Sequence, residues 1–137
     1  MDNNRNHCKS IADKIEAIVE GRLYKCPECG EYVEDNNLFC GCGCYVDLFG
    51  NEENEPWEQV NFYDYFEDAL DIDYIVNSNK EYKACRITIA FGGPNIYVNT
   101  WEKKVELHWW NEHADFYLSS DACDAIDEWA EECLACL

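Results

Sequence analysis

The sequence predicts an α+β fold: an antiparallel β-sheet packed by a C-terminal helix, preceded by an N-terminal helix and a zinc-ribbon-like knuckle. Three observations carry that prediction. Cysteines crowd together at Cys26, Cys29, Cys40, Cys42 and Cys44. Runs of β-forming residues follow one another from Tyr74 to Leu118, separated by turn residues. Residues 119–137 carry apolar side chains at helical spacing. Divided on composition, residues 1–49 form a helix and a zinc-ribbon-like module, 50–60 an acidic linker, and 61–137 an α+β domain.

The first element is a helix over residues 9–20, where Ile11, Ile15, Ile18 and Val19 recur on one face. Ser10 is its predicted N-cap and Gly21 its stop. The cysteine segment follows, with a hairpin expected between its two halves and a turn at Asp35-Asn36-Asn37. Residues 50–58 (GNEENEPWE) have no periodicity and read as linker. In VNFYDYFEDALDIDY, the offsets of Phe62, Tyr65, Phe66 and Ala69 predict a short acidic helix.

Strands are predicted at Tyr74–Val76, Tyr82–Phe91, Ile96–Trp101, Lys104–Trp110 and Asp115–Leu118, in a four- or five-stranded sheet. Gly92-Gly93-Pro94-Asn95 is a turn, without the strand–GxxxxGK–helix context of a phosphate cradle. Cys85, Ile87, Ile89 and Phe91 alternate with Ala84, Arg86, Thr88 and Ala90, so one face points inward. Trp109 and Trp110 are adjacent and should point to opposite faces, one into the core. Ser119 or Ser120 caps the last helix, with Ala122, Ile126, Trp129, Cys133 and Leu137 as its apolar stripe.

Cys26-Pro27-Glu28-Cys29-Gly30 has knuckle spacing: a tight turn points thiolates i and i+3 at one ion. Phe39-Cys40-Gly41-Cys42-Gly43-Cys44 supplies the other half, and four sulfurs make a closed tetrahedral site for structural Zn²⁺. The second knuckle is shortened. Cys26, Cys29, Cys40 and Cys42 are the favoured ligands, since Cys42-Gly43 matches the end of the motif, with Cys44 as rival. Cys85 and Cys123 read as core thiols, Cys133 and Cys136 as structural at a helix end, and the His7-Cys8 pair is discounted as a ligand source.

The chain holds 29 acidic and 10 basic residues, a formal charge of −19. Direct binding to nucleic acid or to an anionic membrane is disfavoured, because neutralising phosphate needs Lys and Arg. A basic protein partner is expected instead. The carboxylates fall into two groups, Asp64, Glu67, Asp68, Asp71 and Asp73, and Asp121, Asp124, Glu128 and Glu131, with Trp110 as an aromatic anchor. The polar start MDNNRNHCKS lacks the apolar core of a signal peptide, which predicts a cytoplasmic protein. His108 and His113 flank Trp109-Trp110-Asn111-Glu112, but no nucleophile has a recognisable setting, so no enzyme is expected.

The segment FGGPNIYVNTWEKKVELHWWNEHADFYLSSDACDAIDEW, with YDYFEDALDIDYIVNSNKEYKACRI upstream, resembles small acidic proteins of phages and other mobile elements in gut Firmicutes. The cysteine segment resembles zinc ribbons in general. The first resemblance covers about half the chain and carries no catalytic residues over. It implies a non-catalytic, anti-CRISPR-like or anti-restriction inhibitor acting in a bacterial host cell. Joined to the charge, the expected function is occupation of the DNA- or RNA-binding groove of a defence nuclease, such as a CRISPR effector. The alternative is a zinc-ribbon adaptor docking on a host transcription or replication protein through Trp and Tyr. Neither reading fixes the oligomeric state.

Overall fold

Apolar side chains alternating along residues 71–117 can be buried on one side only if their strands lie side by side. In the computed structural model, which describes residues 2–50, 52 and 55–137, they do so as an antiparallel meander. The elements in chain order are α1 (Asp2–Val19), β1 (Leu23–Lys25), β2 (Tyr32–Glu34), β3 (Glu58–Gln59), α2 (Phe62–Tyr65), β4 (Asp71–Val76), β5 (Tyr82–Ala90), β6 (Asn95–Asn99), β7 (Lys104–Trp109), β8 (Glu112–Tyr117) and α3 (Ser120–Ala135). Strands β4 to β8 form a five-stranded sheet in sequential order. The α+β class, the antiparallel sheet and the two terminal helices stand as predicted.

Helix α1 lies against β7 and β8, and α3 against β5, so both helices cover one face. Ile15, Ile87, Val98, Val105, Leu107 and Ile126 are the largest aliphatic side chains sealed in that core. Cys85 and Cys123 are buried with them, and so is Cys8 of α1. Helix α1, grouped with the cysteine segment on sequence, therefore shares its core with the large sheet. Glu16 ties α1 to α3: its carboxylate accepts the Ser119 amide at 3.2 Å and hydroxyl at 2.5 Å. Ser119 is the N-cap of α3, accepting the Ala122 amide at 3.0 Å.

The uncovered face is polar. The guanidinium of Arg86 stacks 3.6 Å from the Tyr97 ring centroid. Glu106 lies 3.7 Å from both Arg86 and Lys104, and Lys104 lies 3.3 Å from Asp115.

The small sheet has the order β2-β1-β3. The hairpin expected within residues 31–39 does not form. Tyr32–Glu34 instead pairs back across the first knuckle with Leu23–Lys25. Strand β3 pairs with Tyr24 and Lys25 from the other side. Within the stretch read as linker, residues 51, 53 and 54 lie outside the described residues, while Trp57 is buried and Glu58–Gln59 forms β3.

Several expected details are corrected. Ser10 is not a cap, because α1 begins at Asp2. The polar first turns are held from outside: Arg5 lies 5.0 Å over the Phe116 ring. Gly21 does end the helix, at φ +73°, with the Arg22 amide donating to the Ala17 carbonyl at 2.7 Å. The acidic helix is one turn, capped by Asn61, and Asp71 and Asp73 belong to β4. A bulge between Thr88 and Ala90 breaks the alternation, leaving Phe91 exposed. Leu137 lies beyond α3 at 90 % exposure and adds nothing to its stripe.

Candidate metal centre

The two cysteine turns are built alike. In the first, the Cys26 amide donates to the Glu31 carbonyl and the Gly30 amide to the Cys26 carbonyl, each at 2.9 Å. In the second, the Cys40 amide donates to the Cys44 carbonyl at 2.8 Å and the Gly43 amide to the Cys40 carbonyl at 2.9 Å. The second turn is one residue shorter, as the sequence spacing predicts. Gly30 at φ +77° and Gly43 at φ +97° take the left-handed conformation that closes each turn without a Cβ clash.

This places the Sγ atoms of Cys26, Cys29, Cys40 and Cys42 all within 4.8 Å of one another. Cys26 and Cys42 are 3.7 Å apart, and Cys29 and Cys40 3.2 Å. A tetrahedral ion with metal–sulfur bonds of about 2.3 Å requires sulfurs about 3.8 Å apart along each edge. The donor set therefore fits a thiophilic cation with small adjustments, and these four cysteines can hold a metal ion. Cys26 and Cys40 are buried, while Cys29 and Cys42 are exposed.

Backbone amides aim at the sulfurs, the electrostatic signature of a knuckle. Burial opposes the Cys26 thiolate, yet the Cys29 and Glu28 amides and the Cys29 and Cys42 thiols draw it down to about 6. Cys42 is lowered by the Cys44 amide first, then by the Cys44 and Cys40 thiols. Cys40 moves the other way. The Cys42 amide favours its thiolate, but burial, the Cys29 sulfur and the Glu31 carboxylate outweigh that. Its thiol donates to Glu31 at 3.2 Å. Cys44 is pushed up to about 12, by the Cys42 sulfur first and then by burial. A divalent cation would hold four of these sulfurs as thiolates together and release their protons.

Around the centre is a small core of Cys26, Val33, Cys40, Val46 and Trp57. The bridge between Phe39 and Tyr45 closes the second turn. Residues the spacing did not single out complete the site: Glu31, whose carboxylate touches Cys40, and Trp57, whose burial roofs the module. An acidic side chain two residues after a knuckle cysteine was the available signal for the first.

All nine carboxylates singled out on sequence are exposed. Helix α2 packs on α3, with Phe66 and Trp129 rings 5.0 Å apart and the Tyr63 hydroxyl donating to Glu132 at 2.6 Å. The two acidic groups thus occupy neighbouring elements, continued by Asp71 and Asp73 on edge strand β4. Ion pairs among the described residues engage Asp13, Glu20, Glu34, Asp35, Glu106 and Asp115, and none of the nine.

Neither Trp109 nor Trp110 is buried, against expectation. Trp109 ends β7, and Trp110 opens the two-residue turn before β8. Trp110 is 87 % exposed at φ +54°, edge-on to Trp109 with centroids 5.8 Å apart. His108 and His113 are register partners on the uncovered face, their ring centroids 6.4 Å apart.

No family model matches the chain, and neither the curated proteins nor the solved structures give a significant match. No helix among the described residues is long and apolar enough to cross a membrane.

Proposed function

We propose that this chain is a non-catalytic inhibitor of a bacterial nucleic-acid-binding defence nuclease, anti-CRISPR-like in action. Its acidic surface occupies the groove that otherwise holds DNA or RNA. The ion at the cysteine cluster is structural Zn²⁺, and the protein acts in the host cytoplasm. One observation carries the reading: nine exposed carboxylates, outside the ion pairs among the described residues, on α2 and the turn after it, on β4 and on α3. Such a surface presents fixed negative charge as a polynucleotide does. It would steer association with a cationic channel and lose strength as salt screens it.

The test is inhibition of DNA cleavage by a purified CRISPR effector nuclease loaded with its guide. The expected result is inhibition that weakens by an order of magnitude or more between roughly 50 and 200 mM salt, within the range set by counterion release. Asn and Gln replacements at the nine positions should abolish it. Inhibition indifferent to salt and to those replacements would overturn the reading.

A second reading has its own observation. Trp110 is held at the hairpin tip in a backbone conformation unfavourable to a bulky residue, facing solvent. This supports a zinc-ribbon adaptor docking on a host transcription or replication protein. Salt-resistant binding lost in Trp110→Ala would favour it.

A further inference from the structure

The chain holds three histidines, and two of them meet on one rung of a hairpin. His108 on β7 and His113 on β8 are register partners, so their side chains leave the sheet on the same face, the one neither helix covers. The register also sets how close they come. The Leu118 amide donates to the Lys103 carbonyl at 2.8 Å, at the far end of the same strand pair. Hydrogen-bonded rungs alternate with open ones from there, which makes Trp109–Glu112 a bonded rung and His108–His113 an open one. Partners on an open rung have Cα atoms about 4.5 Å apart, the nearer of the two spacings that paired strands offer. The two-residue turn Trp110-Asn111 lies one rung beyond and holds that register.

Both rings are exposed and nearly parallel, with 24° between their planes and centroids 6.4 Å apart. Two imidazoles sharing one ion, each bonded at about 2.0–2.1 Å in a tetrahedral arrangement, have centroids about 5 Å apart. Small side-chain rotations cover the difference of about 1–2 Å, since both rings face solvent. The Tyr97 ring, 6.0 Å from that of His108, belongs to β6 and bounds His108 on the side away from His113. The formal charge of −19 concentrates cations around the whole molecule.

We propose that His108 and His113 together chelate one divalent transition-metal ion of the kind imidazole suits, Zn²⁺, Ni²⁺ or Cu²⁺. Among the described residues only the cysteine cluster brings three or more possible donor groups together, so water fills the remaining positions here. The site is open where the cysteine centre is closed, and it does not depend on that centre. A bound ion ties β7 to β8 immediately below the turn that carries Trp110.

The test adds zinc ions alone to the full-length protein at about pH 7.5, above the ordinary histidine value of about 6.5, and follows the histidine rings by NMR. The His108 and His113 rings should shift together along one binding curve, after any zinc that the cysteines take. His7, exposed on α1, should stay off that curve and serves as the internal control. His108→Asn should weaken the zinc response of His113 by about 10-fold or more, and His113→Asn that of His108. Both substitutions fall on exposed positions, and unchanged amide signals from β5 to β7 verify the fold. If the cysteines bind no zinc, the paired ring shifts should begin with the first equivalent, so failure of the cysteine centre leaves this inference standing. Rings unmoved by zinc up to about 1 mM overturn it. So does an equal response from His7, or an unchanged affinity at one ring when the other is replaced, which would mean two separate single-imidazole contacts.

Discussion

If the cysteine cluster holds the proposed ion, removing it should melt one part of this protein and spare the other. Among the described residues, the core around the cysteine cluster has only Val33, Val46 and Trp57 as large buried side chains besides Cys26 and Cys40. Each is worth about 1.5–3 kcal/mol at most. Structural zinc in small peptides contributes about 10–16 kcal/mol. An ion bound there would therefore dominate local stability, and ~10 kcal/mol corresponds to about seven decades in an opening equilibrium. Hydrogen exchange can display only as much of that as global stability permits, about 5–15 kcal/mol. Exchange read by mass spectrometry should thus show peptides spanning residues 23–48 losing several decades of protection in excess chelator, including the Cys26 and Cys40 amides bonded at 2.9 and 2.8 Å. Peptides from β5 to β7 should change little, because Ile87, Val98, Val105 and Leu107 are sealed by α1 and α3. Unchanged protection across residues 23–48 would show that the module stands on its own packing, and the argument for a structural ion would fail.

Three further outcomes follow from particular contacts. Tyr82 is pushed well above the ordinary tyrosine value, by burial first and then by Asp127, which accepts its hydroxyl at 2.5 Å. A raised folded pKa means that stability is fully present below about pH 10 and declines as pH rises further. Denaturant melts should show that decline, and Tyr82→Phe should flatten it while costing about 1 kcal/mol at neutral pH. Buried Thr100 uses one hydroxyl to accept the Cys85 amide at 2.9 Å and to donate to the Cys85 carbonyl at 3.2 Å. Thr100→Val should cost about 1–3 kcal/mol in urea unfolding by leaving the Cys85 amide unpaired, while the Cys85 carbonyl keeps the Thr100 amide at 3.0 Å. Trp110→Gly should raise stability by about 1 kcal/mol, the strain of a left-handed non-glycine residue, and a clear loss would identify Trp110 as a packing residue.

What could be read from the sequence divides along physical lines. Local signals carried well: the C-x-x-C-G spacing, the Gly-Gly-Pro turn and the Ser119 cap each depend on a few neighbouring residues. Signals set by distant partners did not. The first turns of α1 have no apolar stripe and are held by Phe116 and Glu112, more than a hundred residues away. Strand β3 is only two polar residues, Glu58 and Gln59, between Trp57 and Val60, and it pairs only because β1 offers a free edge. Asp71 and Asp73 fall in the stretch read as an acidic helix but lie on a sheet edge, where charge discourages pairing with other chains. At the candidate centre, the four clustered cysteines and their spacing were legible; Glu31 beside Cys40 depended on how the turns fold toward each other.

The meander and its first helix have a consequence for synthesis. Strands β4 to β8 each need only the preceding neighbour, so the sheet can zip up as it emerges from the ribosome. Helix α1 cannot join in so early, since its seat is on β7 and β8. The 84 residues between Val19 and Lys104 take roughly 4–17 s to translate at 5–20 residues per second. During that delay Ile11 and Ile15 have no sheet to cover them, whereas the cysteine turns, complete by residue 60, can already close on an ion. The nascent chain would thus mature from its middle outward, with its oldest helix docking only once β7 and β8 have emerged.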